Sequence, residues 1–260
     1  MVKGGYSMRV IAIANRKGGV GKSTTAAALV SGLTLKGYKV LAVDLDAQRN
    51  LTSTMRARAD SKTALGVLTG DITAKEAIRH TESGDIIPAS KSLSGADATL
   101  TETGKEYRLK EALEPVKGEY DYCIIDCPPA LGILTVNALT AANSVIIPAQ
   151  ADIYSLEGIE DLQETIQPVR KYCNPSLEIQ GILLTRYSPR SILSRDVTTL
   201  AEQLAEKLET SLYKATIREA VAVKEAQISQ QSLFTYAPKA KVTEDYKAFI
   251  DEFLERTGTL

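Results

Sequence analysis

The chain has 260 residues, of which 44% are hydrophobic and 24% charged, and its formal net charge is −1. That length carries one large domain or two small ones with a sizeable core, and the near-neutral balance gives no global attraction to nucleic acid or membrane. The three cysteines, Cys123, Cys127 and Cys173, form no C-x-x-C pair, which argues against a disulfide framework and for a reducing cytosol.

Residues 1–8 read as a short polar extension, not a secretory leader, with Met8 as a second candidate start. Arg9 to Ala14 is an apolar strand. The octet Lys17-Gly18-Gly19-Val20-Gly21-Lys22-Ser23-Thr24 follows, and a helix opens at Thr25. Tyr38 to Asp44 is a buried strand ending in a carboxylate. Thr63 to Leu68 and Thr73 to Thr81 predict short helices, Asp85 to Pro88 a short strand, and Ser90 to Gly104 a loop or weak helix. Lys105 to Val116 is an amphipathic helix, and Tyr120 to Asp126 a second buried strand ending in aspartate. Strands are expected at Ser144 to Ala149 and Ile179 to Thr185. Helices are expected at Leu156 to Tyr172, Ile192 to Leu208, Ala220 to Gln230 and Thr243 to Arg256. Apolar strands alternating with helices predict an α/β fold over residues 1–260: one doubly wound, mostly parallel sheet with helices on both faces. No run approaches the roughly 18 apolar residues of a spanning helix.

Strand, glycine-rich loop and helix in succession are the context of a phosphate-binding loop. The backbone N–H groups of Gly18, Gly19, Val20, Gly21 and the residues after them can close around phosphate oxygens at a helix N-terminus. Lys22 supplies a charge to the β- and γ-phosphates, and the hydroxyl of Ser23 is a Mg²⁺ ligand. In such sheets ligands bind at the carboxyl ends of the strands. Asp44 and Asp126 lie at that edge, and a buried strand-end aspartate is costly unless a cation or donors meet it. Asp126 has the position of a Walker B carboxylate, and Asp44 can hold a Mg²⁺-bound water.

The octet departs from the ordinary G-x-x-x-x-G-K-[ST] pattern: Arg16 stands where the first glycine is expected, and Lys17 is an added lysine. K-G-G-x-G-K-[ST] is the deviant Walker A motif, and on it the chain resembles the ParA/MinD (SIMIBI-class) ATPases, in particular the short, Soj-like ParA DNA-partitioning type. Ile124 to Leu139, Ile146 to Pro148, Tyr154 to Gly158 and Ile182 to Thr185 follow the same pattern, and there is no N-terminal helix-turn-helix segment. The resemblance implies a P-loop NTPase fold with ATP and Mg²⁺ as cofactors. It makes Lys17 the signature lysine, which reaches the partner's nucleotide across an ATP-dependent homodimer, and Asp46 the carboxylate that organises the attacking water. Lys17, Lys22 and Asp46 are thus the candidate catalytic residues. Residues 17–24 with Asp126 hold the nucleotide, and Ser23, Asp44 and Asp126 the metal. The implied partners are a ParB-like centromere-binding protein and non-specific double-stranded DNA. The implied location is cytoplasmic and nucleoid-associated.

Departures from the family pattern are Ala47 for proline, Arg49 for glycine and Ala130 for serine. Glu219 and Ala222 also stand where two DNA-contacting arginines are common. Arg49 is expected to be exposed rather than on phosphate. Arg186 to Lys241 holds nine Lys/Arg against six Asp/Glu, so Arg218, Lys224, Lys239 and Lys241 are the candidate DNA contacts. The stretches after Thr185 and around Arg218 are candidates for holding the base. Three other readings remain: a MinD-like membrane-associated ATPase, nucleoid-based positioning of non-DNA cargo, and a metabolic ATP-dependent ligase or synthase. The amphipathic C-terminal segment is acidic, which weakens the membrane reading. The lone His80 is expected at a helix end, and Cys123 in the core.

Overall fold

Along the first strand, side chains alternate between two cores. Val10, Ala12 and Ala14 face one, and Ile11 and Ile13 the other. A strand apolar on both sides must be covered by helices on both sides. The computed structural model describes residues 8–188 and 192–258, with backbone alone for Ile153 and residues 192–195. Most of the short N-terminal extension and Arg190 therefore lie outside the described residues.

The elements run β1 (Arg9–Ile13), α1 (Lys22–Leu35), β2 (Val40–Asp44), α2 (Asn50–Thr54), α3 (Ala64–Thr69), α4 (Ala74–Ala77), β3 (Arg79–Thr81), β4 (Gly84–Ile87) and α5 (Ala96–Thr99). They continue as α6 (Arg108–Leu113), β5 (Tyr122–Asp126), α7 (Ile133–Ala141), β6 (Ser144–Gln150), α8 (Ile153–Tyr172), β7 (Glu178–Thr185), α9 (Ile192–Lys207), α10 (Val221–Ile228), α11 (Leu233–Tyr236) and α12 (Lys241–Arg256). The seven strands of the described residues form one sheet in the order β3-β4-β2-β5-β1-β6-β7. All neighbours are parallel except β3 against β4. This is the doubly wound architecture expected from the sequence. Helices α3 and α6 to α9 contribute to the first core, and α1, α10, α11 and α12 to the second.

Helix α12 gives its apolar face to the second core: Tyr246, Phe249, Ile250, Phe253 and Leu254 are all buried. Gly32 lets it approach α1, because a Cβ there would collide with the Ile250 side chain. The amphipathic C-terminal segment is therefore spent on packing, and among the described residues no helix is long and apolar enough to cross a membrane.

Three local expectations change. The helix expected over Thr73 to Thr81 is only α4, closed at its start by a Thr73–Glu76 capping box. Ile78 then leaves the helical region (φ −59°, ψ 134°), and Arg79–Thr81 turns into an antiparallel edge strand on β4. His80 thus sits on that edge strand, paired with Asp85 at 2.8 Å, not at a helix end. The helix expected at Lys105 to Val116 is α6 flanked by two 3₁₀ turns, the second holding Pro115. Helices α2, α7 and α11 were not expected.

Candidate nucleotide site

The loop between β1 and α1 is built by its glycines. Gly19 (φ 77°) and Gly21 (φ 89°) occupy the left-handed region that favours glycine. Gly21 caps α1 without any side-chain cap, and no acidic residue sits in the first turn. The first N–H groups of α1 are left for an anion. Asn15 fixes the loop's entry: its Oδ1 accepts from Lys17 N (2.9 Å) and its Nδ2 donates to Pro148 O (2.8 Å). Thr185 braces the far side by donating to Val20 O at 2.9 Å.

Lys22 is 6% exposed. Its Nζ donates to the carbonyl of Lys17 at 2.9 Å. Burial pushes its pKa down, and the charge of Asp126 opposes this most strongly. Asp44 and Asp126 stand directly opposite each other on β2 and β5. Both carboxylate oxygens of Asp126 are buried with no hydrogen-bond partner among the described residues. Burial, then the charge of Asp44, drives its pKa well up, while the nearby Ser23 hydroxyl favours the charged form without closing a bond of good geometry. Asp44 differs. Its Oδ1 accepts from Asp46 N (3.0 Å), and its Oδ2 accepts from Thr52 N (2.8 Å) and Thr52 Oγ1 (2.6 Å). Burial still raises it to about 6. Asp46 is buried, and its Oδ1 accepts from Gln48 N at 2.9 Å.

These residues fit a phosphorylated nucleotide with a divalent cation. An orphaned buried carboxylate costs several kcal/mol unless a cation meets it, and Asp126 faces the Ser23 hydroxyl that such a cation also requires. Among the described residues no three His, Cys, Asp or Glu converge as a self-sufficient metal cage. A cation completed by phosphate and water matches that donor set. The sequence left Asp44 open as a water-holding carboxylate, and its bonds show it also fastening the loop of Asp46 to α2.

The loop floors a cavity of about 400 Å³, lined at one end by Gly18 to Thr24, Asp46, Gln48, Asn50 and Pro129. Its other end is lined by Thr185, Arg186, the segment Ile217 to Ala220, Val223, Lys224, Gln227 and Tyr246. Both stretches expected near the base thus line it. Lys17 does not. Its Nζ lies 3.0 Å from Asp152 Oδ1 and 5.0 Å from the centre of the Tyr154 ring. Asp152 also caps α8, accepting from Ser155 N at 2.9 Å. The charge of Lys17 and these bonds hold the Asp152 carboxyl below its usual range despite burial, which acts to raise it. The sequence reading missed Asp152; an aspartate three residues before Ser155 is an N-cap signal that could have found it.

Arg49 takes the left-handed conformation (φ 60°, ψ 31°) at the start of α2. It is half-buried, does not line the cavity, and its Nε is buried without a partner among the described residues. A residue with a Cβ costs about 1–2 kcal/mol there. Arg49→Gly is therefore expected to stabilise the chain by about 1 kcal/mol, read as a raised urea midpoint; a lowered midpoint would show that the arginine's packing outweighs the strain.

The basic candidates separate. Arg218 grips Asp245 with Nε and a terminal nitrogen (2.6 and 2.7 Å) and lines the nucleotide cavity. Lys224, Lys239 and Lys241 are exposed. The Tyr236 hydroxyl reaches Glu225 at 3.5 Å, which sets the segment before α12 beside α10. Glu219 faces Arg186 at 3.9 Å. Cys123 and Cys127 are fully buried, and burial pushes both thiols up, so neither is a ready thiolate.

A family model described as an AAA domain matches residues 8–179. The sporulation initiation inhibitor protein Soj of Bacillus subtilis is 42% identical over 243 residues, covering 92% of this chain and 95% of Soj. The chromosome partitioning protein ParA of Caulobacter vibrioides is 40% identical over 256 residues, covering 96% and 95%. Among solved structures, Mycobacterium smegmatis cobyrinic acid a,c-diamide synthase with a bound ATP analogue and magnesium superposes with a TM-score of 0.83. It is 36% identical, covering 97% of this chain and 96% of that one. On the deviant loop, the paired strand-end aspartates and these relatives, the chain belongs to the ParA/MinD family of P-loop ATPases.

Proposed function

We propose that the chain is an ATP-dependent partitioning ATPase that positions a plasmid, mobile element or chromosome origin. The observation that carries this reading is the division of the two loop lysines: Lys22 is buried in the cavity, whereas Lys17 stands outside it. A cation at the lip serves a second copy's nucleotide, in a dimer that sandwiches two ATP molecules. The α1 N–H groups and Lys22 bind the phosphates, and Ser23 with Asp126 holds the cation. Mg²⁺, when bound, neutralises charge on the transferring phosphate. Asp46 orients the water, steadied by Gln48 N and the Asp44–Thr52 clamp behind it. No covalent chemistry is asked of the protein. The dimer binds DNA without sequence preference, and a ParB-like protein stimulates hydrolysis. The core packing of α12 favours this over the membrane-associated alternative.

Lys224, Lys239 and Lys241 are the DNA contacts this reading retains; the ion pair of Arg218 makes it the weaker candidate. DNA affinity measured by fluorescence anisotropy is expected to require ATP and to fall with salt at a log–log slope of roughly −3 to −4. Charge reversal at any of the three lysines should weaken binding alike on every sequence. Binding that is independent of ATP, or indifferent to all three reversals, would remove the DNA track from the account.

A further inference from the structure

Helix α10 is fastened to two elements of the nucleotide site. Gln227 Nε2 donates to Thr24 Oγ1 at 3.1 Å, in the first turn of α1. One turn on, Gln230 Nε2 donates to Ser53 Oγ at 3.1 Å, and Arg56 donates to the Ser229 carbonyl at 3.1 Å. Both partners of that second contact lie in or just after α2, the helix that follows Asp46. Thr24, Gln227 and Lys224 all line the cavity.

The Gln227–Thr24 bond has a defined polarity. A side-chain amide nitrogen only donates, and a hydroxyl has one proton and two lone pairs. With Gln227 occupying a lone pair, the Thr24 proton is directed to another acceptor. Thr24 lies beside Ser23 at the helix N-terminus that receives phosphate, so an acceptor arrives with the nucleotide. Accepting one bond also polarises the hydroxyl and strengthens the bond it donates. We propose that Gln227 is a positioning residue: it sets the Thr24 hydroxyl as a donor to a phosphate oxygen of the bound nucleotide and so ties α10 to the occupied cavity. This rests only on the nucleotide-binding part of the function above, not on DNA or a partner. Its consequence is that Lys224, one turn before Gln227 on α10, is steadied by nucleotide.

The test is a double-mutant cycle on Mg-ADP affinity by titration calorimetry, using Thr24→Val, Gln227→Met and their combination. Methionine keeps the length of Gln227 and removes the donor; thermal melts of each variant confirm folding. Gln227→Met should bind ADP roughly three- to tenfold more weakly, with no further loss on the Thr24→Val background. Gln227→Glu should bind more weakly still, because a carboxylate captures the Thr24 proton and repels phosphate. ADP should slow amide hydrogen exchange across Val223–Ser229 in the wild type and not in Gln227→Met. Additive losses in the cycle, wild-type affinity in Gln227→Glu, or α10 exchange unaffected by ADP in the wild type would each overturn the role of Gln227. A wild-type chain that binds no ADP would overturn the nucleotide reading itself.

Discussion

Lys17→Ala should bind ATP with near wild-type affinity as a monomer, yet lose hydrolysis by a factor on the order of 10³–10⁵, the range of a charge supplied in trans. Affinity is spared because the Lys17 side chain does not line its own cavity: its ammonium is drawn to Asp152 at 3.0 Å and lies over Tyr154, which is 70% exposed. Hydrolysis is lost because the partner's phosphates lose the lysine that the facing loop offers. For Lys17 to act, the Asp152 pair must open. Both side chains are 31% exposed, so the pair is partly screened and its opening costs little, of the order of 1 kcal/mol or less. ATP affinity and dimer mass, measured separately from turnover, check the split. A mutant that hydrolyses ATP at the wild-type rate would contradict the trans role.

Lys22→Ala should weaken ATP binding by a factor on the order of a hundred, the loss expected for a charge-assisted hydrogen bond to phosphate. Lys22 lines the phosphate end of the cavity and faces the charges of two buried aspartates, Asp126 and Asp46. Its bond to the Lys17 carbonyl holds the ammonium in place before ligand arrives. Removing it also leaves Asp126 without the charge that opposes its burial. Titration with ATP checks this; wild-type affinity would mean that the loop N–H groups suffice alone.

Much of this site was legible from sequence because its signals are local. The octet carries its own spacing, and Asp44 and Asp126 each end an uninterrupted apolar run. The doubly wound sheet followed from the same runs. What sequence did not reveal depends on distance or on backbone detail. Gln227 meets Thr24 across 203 residues, and no periodicity encodes that meeting. Helix α2 was hidden because Asn50–Thr54 is short, rich in Thr and Ser, and entered through a left-handed arginine. The α4–β3 break was hidden because Thr73 to Thr81 keeps a helix-like composition, while the hairpin is set by Gly84 at φ 123°. Arg218 read as a free basic residue because Asp245, its partner, lies 27 positions away.

The central claim, that two chains complete each other's sites, is tested most directly by mixing Lys17→Ala with Asp46→Ala. Each alone is expected to be inactive, the first for want of the trans lysine, the second because its water is not oriented. A mixed dimer holds one site with an intact Asp46 facing an intact Lys17. The account predicts that ATP hydrolysis returns on mixing, to part of the wild-type rate, and rises with the fraction of mixed dimer. Mixed dimers demonstrated by mass that hydrolyse no ATP would contradict it.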